Sequence, residues 1–304
     1  MYYEADSEKG KKCMRNVTVA AVQMRCNATR EENINRAERL VREAAKSGAQ
    51  VILLPELFET WYFCQERNYD TYQLATPVEE NPAILRFRKV AKELSVVLPI
   101  SFFERAGQVT YNSIAMIDAD GEVLGVYRKT HIPDDHFYQE KFYFTPGNTG
   151  FKVWDTAYGK LGVGICWDQW FPEAARCMAL DGAEILLYPT AIGTEPILSC
   201  DSMPHWRRCM QGHSASNVVP VVAANRIGKE TVEPSEANNH QSSELMFYGS
   251  SFITDEVGAL MEQMDRDVEG FVVATFNLDA IADMRASWGL FRDRRPECYR
   301  KIAK

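Results

Sequence analysis

The stretch Lys160-Leu161-Gly162-Val163-Gly164-Ile165-Cys166-Trp167-Asp168-Gln169-Trp170-Phe171-Pro172-Glu173 decides the fold. Its first six residues alternate glycine with β-branched or aliphatic side chains, the pattern of a buried strand that another backbone approaches closely. Residues 171–180 read as a helix, with Pro172 tolerated in the first turn. Cys166 therefore sits at a strand-to-helix turn, beside the amide groups and positive dipole of a helix start. That setting favours a thiolate. Taken alone, the same cysteine reads as a small buried hydrophobe.

Upstream, residues 17–24 read as a strand and 51–54 as a short, wholly apolar one, as expected in a sheet covered on both faces. Between them, Asn27-Ala28-Thr29 introduces a helix over 30–47 with Ile34, Ala37, Leu40, Val41 and Ala44 on one face, and Gly48 closes it. Strand, helix, strand in that order makes an α/β chain. A helix over 83–94 precedes strands at 96–103, 109–118 and 123–127, the last two joined by the turn Ala119-Asp120-Gly121-Glu122. The aromatic stretch 134–150 reads as a long loop. Beyond Cys166 come a strand at 185–188, a helix over 204–216, and strands at 218–225, 246–253 and 271–276. The polar stretch 228–243 reads as an exposed loop. Residues 1–16 are polar and lysine-rich and read as a mobile leader. No linker cuts the remainder, so 17–304 is taken as one domain.

Composition bounds the function. The 304 residues are 46% apolar and 25% charged, an ordinary globular balance in a chain long enough to bury a full core. A net charge of −8 argues against nucleic acid as the main partner, because phosphate binding needs a basic surface. No run approaches the roughly 18 apolar residues of a membrane span, and the head lacks the apolar segment of a secretion signal. The eight cysteines are irregularly spaced, without a C-x-x-C, in a chain with no need of disulfide staples. Reduced thiols and a cytoplasmic location are the expectation.

Glu56 directly follows one buried strand, Lys129 a second and Cys166 a third. Ligands of α/β sheets collect at the carboxyl ends of strands. The three side chains make a coherent chemistry. A thiolate attacks a carbonyl carbon, a carboxylate takes the thiol proton and later activates water, and an ammonium with the N–H after the cysteine holds the oxyanion. Each residue alone has an ordinary reading: a helix-start charge for Glu56, a solvated lysine for Lys129. Glu140 alone can simply pair with Lys141 or Lys129. His205, Cys209 and His213 share one face of the 204–216 helix, and a zinc ligand set can be drawn from them. A partly buried helix face is the plainer reading of that triplet. The thiol chemistry calls for no metal and no cofactor.

Pro55-Glu56-Leu57-Phe58, Arg128-Lys129-Thr130-His131-Ile132-Pro133 and Gly164-Ile165-Cys166-Trp167-Asp168 resemble the Glu-Lys-Cys motifs of the nitrilase superfamily of carbon–nitrogen hydrolases. Longer strings carry the resemblance from Val17 to the C-terminus. They include Tyr138-Gln139-Glu140-Lys141-Phe142-Tyr143-Phe144, His205-Trp206-Arg207-Arg208, Asn225-Arg226-Ile227-Gly228-Lys229-Glu230 and Arg292-Asp293-Arg294-Arg295-Pro296. The resemblance implies a four-layer α-β-β-α sandwich. It implies Cys166 as nucleophile, Glu56 as general base and acid, Lys129 as oxyanion stabiliser and Glu140 as orienting partner. One departure is Asp135-His136-Phe137, where similar chains carry a Gly-Pro-Gly-type turn.

The strings also resemble the branch that hydrolyses the ureido group of a cationic, linear polyamine precursor. An N-carbamoyl amino acid would ask for arginine beside the nucleophile, and Cys166-Trp167-Asp168-Gln169-Trp170 offers aromatic and acidic residues instead. Tyr62, Trp167, Trp170, Glu195 and Asp201 are the candidates for the alkylammonium pocket. N-carbamoyl amino acid and ω-amide hydrolysis are the alternatives. The resemblance further implies a homo-oligomer built from dimers. The tail, 278–304, is rich in arginine and aromatics, shows no clear core face, and is expected at a subunit interface.

Overall fold

Alternating side chains along short apolar strands generate two stacked sheets in the computed structural model, which describes residues 14–27, 29–194 and 200–303. Most of the expected leader and Glu195 therefore lie outside the described residues. The strands in chain order are β1 (Asn16–Gln23), β2 (Val51–Leu53), β3 (Leu98–Ala106), β4 (Val109–Ile117), β5 (Val123–Arg128), β6 (Val153–Thr156) and β7 (Gly159–Val163). They continue as β8 (Ile185–Thr190), β9 (Val221–Asn225), β10 (Ile227–Val232), β11 (Ser243–Tyr248), β12 (Phe252–Thr254), β13 (Leu260–Gln263) and β14 (Gly270–Asn277). The helices are α1 (Arg30–Lys46), α2 (Pro82–Leu94), the single turn α3 (Glu140–Tyr143), α4 (Pro172–Leu180), α5 (Met203–Asn217) and α6 (Leu278–Trp288).

One layer runs β14-β1-β2 and continues into β3-β4-β5, joined where Ile52 N–H and Val97 N–H bond to Val97 and Gln50 carbonyls at 3.1 and 2.8 Å. The other runs β13-β12-β9-β8-β7-β6. Val19, Val51, Leu53, Val163, Ile185, Leu187 and Val222 fill the space between the layers. Their sequence neighbours Ala20 and Ile52 face outward onto Leu40, Val41 and Phe87 of α1 and α2. On the other side Leu186 and Tyr188 face Met178 of α4 and Trp206 and Met210 of α5. Every strand near the site is thus covered on both faces, giving helix, sheet, sheet, helix. This is the four-layer α-β-β-α sandwich that the resemblance implied. Thr29 caps α1 in a box with Glu32, as the helix signal at that point requires.

Four local expectations change. The stretch 228–243 is only in part an exposed loop: β10 pairs antiparallel with β11 from Ile227↔Tyr248 to Val232↔Ser243, the mostly exposed residues 233–242 connect them, and Glu230 of β10 is buried in an ion pair with Arg226. The expected strand over 246–253 is broken, because Gly249 and Ser250 both take positive φ, 52° and 57°, and turn the chain from the hairpin into the second layer. The tail does own a core face: Asn277 caps α6, and Leu278 and Ile281 enter the core between the sheets. The close approaches to the glycine strand come from side chains. A Cβ on Gly162 would lie 2.9 Å from Leu186 Cδ2, and one on Gly164 2.8 Å from a ring carbon of Tyr188.

Leu187 is fully buried between the sheets. Replacing it with alanine is expected to cost about 2–5 kcal/mol, read as a lower urea midpoint at unchanged slope.

Candidate active site

Four elements deliver four side chains to one buried point. Glu56 comes two residues after Leu54, which extends β2; Lys129 follows β5; Glu140 opens α3; Cys166 lies just past β7. The Lys129 ammonium donates to Glu56 Oε1 at 2.8 Å and to Glu140 Oε2 at 2.6 Å. All three side chains are essentially inaccessible to solvent. Glu56 Oε1 also accepts Asn112 Nδ2 at 2.7 Å, and Glu140 Oε1 accepts the Tyr62 hydroxyl at 2.8 Å. Glu56 Oε2 is buried and makes no hydrogen bond among the described residues. An unpaired buried carboxylate oxygen is costly, and such atoms recur at reactive centres. The Glu56 N–H reaches Thr190 O at 3.3 Å and ties the end of one sheet to the end of the other.

Cys166 is held in the left-handed region, φ 42°, at the first residue of a short 3₁₀ turn over Cys166–Trp170 that precedes α4. Its Sγ lies 4.0 Å from the Ala191 carbonyl. Asp168 braces this elbow. Its Oδ2 accepts Ile165 N–H at 2.9 Å and the Tyr127 hydroxyl at 2.6 Å, while Oδ1 accepts the His131 N–H at 3.0 Å.

The electrostatics correct one expectation. Burial, and next the Glu56 charge, push the Cys166 thiol well above its ordinary value, and Lys129 only partly opposes them. A short turn start does not outweigh desolvation, so the site favours the neutral thiol over the thiolate. Burial would draw the Lys129 ammonium down, but Glu140 and Glu56 together hold it well above the usual lysine range. Burial pushes Glu140 up to about 7, with Lys129 opposing and Glu56 adding to the rise.

The proposed pocket residues scatter more widely. Tyr62 is fully enclosed and committed to Glu140. Trp167 is exposed, meeting half-buried Trp170 edge-on at 6.3 Å, and Trp170 leans on His205 at 4.8 Å. Asp201 lies on a separate cleft of about 730 Å³ and pairs with Arg266 at 2.6 Å. Of the three residues of the zinc alternative, Cys209 and His213 stay in contact, Sγ to Nε2 at 3.8 Å, and His205 does not join them. His213 Nε2 bonds the Gln169 carbonyl at 2.7 Å and Cys209 Sγ donates to it at 3.4 Å, while His205 packs at a tilt against Trp170. No group of three or more His, Cys, Asp or Glu is arranged to hold a metal among the described residues.

Asn112, Tyr127, Arg226 and Glu230 were not singled out from sequence. Arg226 carried the signal that marked Glu56: a charged residue directly after a buried apolar strand. Asn112 had none, being a polar residue within an antiparallel strand.

This chain belongs to the carbon–nitrogen hydrolase family, whose description "Carbon-nitrogen hydrolase" matches residues 18–286. It is 56% identical to the N-carbamoylputrescine amidase of Oryza sativa subsp. japonica, over 94% of each chain. It is 53% identical to the citrullinase of Francisella tularensis, over 96% of this chain and 99% of that one. The crystal structure of a carbon–nitrogen hydrolase from Helicobacter pylori superposes with a TM-score of 0.85 at 36% identity, covering 95% of this chain and 99% of the other. The chain is an enzyme of the nitrilase superfamily, as the motifs implied.

Lys129→Met would leave two buried carboxylates facing each other. At pH 8 a loss of about 3–5 kcal/mol is expected. Glu140 already binds its proton more tightly folded, at about 7, than the ordinary 4.5 of an unfolded chain, and losing the ammonium strengthens that preference. Stability of the variant should therefore rise as pH falls from 8 to 5, seen as converging urea midpoints for variant and wild type.

Proposed function

We propose that this enzyme hydrolyses N-carbamoylputrescine to putrescine, carbon dioxide and ammonia, as a step of polyamine synthesis. Glu56 Oε2 takes the Cys166 proton as Sγ attacks the ureido carbon. Lys129 and the Trp167 N–H hold the oxyanion. Collapse expels ammonia, with Glu56 returning the proton, and leaves a carbamoyl thioester. Glu56 then activates water, the thioester is cleaved to a carbamate and the free thiol, and the carbamate loses carbon dioxide to give the amine. Glu140 orients Lys129. The observation that carries the mechanism is the pair of buried carboxylates sharing one ammonium while one oxygen of Glu56 stays free. The substrate rests on the 56% identity to the rice enzyme over nearly the whole of both chains.

Citrulline is the second reading, favoured by the 53% identity to the Francisella enzyme. It shares the ureido group and the distal ammonium and adds a carboxylate at the far end. The lack of arginine beside Cys166 disfavours a carboxylate next to the ureido group, but says nothing about one several carbons away. Ammonia release should be measured from N-carbamoylputrescine, citrulline, an N-carbamoyl amino acid and an ω-amide, with wild type and Cys166→Ala. The expected result is turnover of the first, with putrescine as product, lost in the variant. Preferred turnover of citrulline would retain the chemistry and replace the substrate. Turnover of N-carbamoylputrescine by Cys166→Ala would overturn the mechanism.

The same reading includes residues 17–304 as one domain, a cytoplasmic location and a homo-oligomer built from dimers. Support for the location is that the seven cysteines among the described residues are unpaired. No helix among those residues is long and apolar enough to cross a membrane. Support for tail-mediated assembly is the apolar surface of Met284, Trp288 and Ile302, with Trp288 70% exposed. Trp288→Asp should give a smaller species than wild type in light scattering.

A further inference from the structure

We infer that Arg226 is a positioning residue for both carboxylates of the site, acting through the backbone of segment 56–62. Its guanidinium is fully buried just past β9. Nη2 donates to the carbonyls of Glu56 and Leu57 at 2.8 and 3.0 Å. Nη1 donates to Thr60 O at 3.2 Å and to Glu230 Oε1 at 3.0 Å. The second Glu230 oxygen accepts the Tyr62 N–H at 2.6 Å. One buried ion pair thus grips both ends of the segment. The first end carries Glu56. The last carries Tyr62, whose hydroxyl bonds Glu140.

Three observations separate this from ordinary core charge pairing. The Glu56 side chain is served by Lys129 and Asn112, so Arg226 meets Glu56 only at its carbonyl. Leu57 is held at φ 48°, a conformation leucine rarely adopts, with its N–H on Ser101 Oγ at 2.9 Å. Strain of that kind persists where surrounding bonds over-determine it, and Arg226 supplies the carbonyl side of that constraint. The guanidinium also lies near the rings of Tyr62 and Phe247, 5.7 and 5.3 Å from their centroids, which restrict its movement. Losing it frees the turn that aims Glu56 Oε2 and slackens the Tyr62 bond to Glu140 in one step.

The inference rests on Glu56 being the base, and the test keeps the two apart. Arg226→Lys and Glu230→Gln are each made in wild type and in Glu56→Asp, and ammonia release is followed with whichever ureido or amide substrate the wild type hydrolyses. In wild type, Arg226→Lys should lower kcat about 100-fold with KM within about threefold, the scale of a misplaced catalytic group. In the Glu56→Asp background, where the carboxylate is already withdrawn, the same change should cost less than about threefold. Glu230→Gln should show a smaller loss with the same non-additivity, and it carries the test if Arg226→Lys does not fold. A folded Arg226→Lys enzyme with wild-type kcat, or equal losses in both backgrounds, would overturn the inference. Full activity in Glu56→Asp would instead overturn the base assignment beneath it.

Discussion

The buried ammonium of Lys129 is the constraint on which the site depends. Two carboxylates removed from water repel each other strongly in a medium of low dielectric constant, and each pays a desolvation cost of its own. Lys129 lies within hydrogen-bond distance of both and makes their coexistence tolerable. One ammonium does not fully offset two buried carboxyl groups: burial still pushes Glu140 up to about 7, against the pull of Lys129. Burial first, and then the Glu56 charge, hold the adjacent thiol well above its ordinary value, with Lys129 only partly opposing them. The cation, the two anions and the sulfur are one electrostatic unit.

The sandwich exists at this point because strand ends from two sheets have to meet. Glu56 and Lys129 leave the first layer, and Cys166 leaves the second. The Glu56 N–H bond to Thr190 O spans the gap between the layers, and Asp168 fastens the cysteine elbow to Tyr127 and His131 on the segment that carries Lys129. The apolar alternation of β1, β2, β7 and β8 sets the facing of the sheets, and these polar links set the register of their ends. A packing defect between the sheets therefore reaches the chemistry through the geometry of the strand ends, and directly at Cys166, which belongs to the core between the sheets.

Much of this was legible in the chain itself. Short, wholly apolar strands such as 51–54 announce a sheet covered on both faces, and a Glu, a Lys and a Cys at three strand ends announce a site. The hairpin over 227–248 was hidden because Glu230, Lys229 and Glu244 give it the composition of a loop. Its buried glutamate makes sense only beside Arg226, a partner fixed by folding. Tyr62 shows another gap: an aromatic near a motif suggests a cation pocket, and nothing in the sequence announces that its hydroxyl meets Glu140. Sequence periodicity reports which face is apolar. It does not report which polar group meets which across elements far apart in the chain.

A neutral thiol changes how the reaction must begin. A standing thiolate reacts with any accessible electrophile, whereas in the proposed mechanism Cys166 keeps its proton until a carbonyl arrives to absorb the developing charge. Lys129 is already placed and already charged, so stabilising an oxyanion requires no ammonium to be recruited. Under the same proposal, proton transfer to Glu56 removes one negative charge from the cluster as another develops on the substrate oxygen. The total charge of the buried unit is conserved through the step, which is the arrangement a low-dielectric site favours most, because no net charge has to enter it.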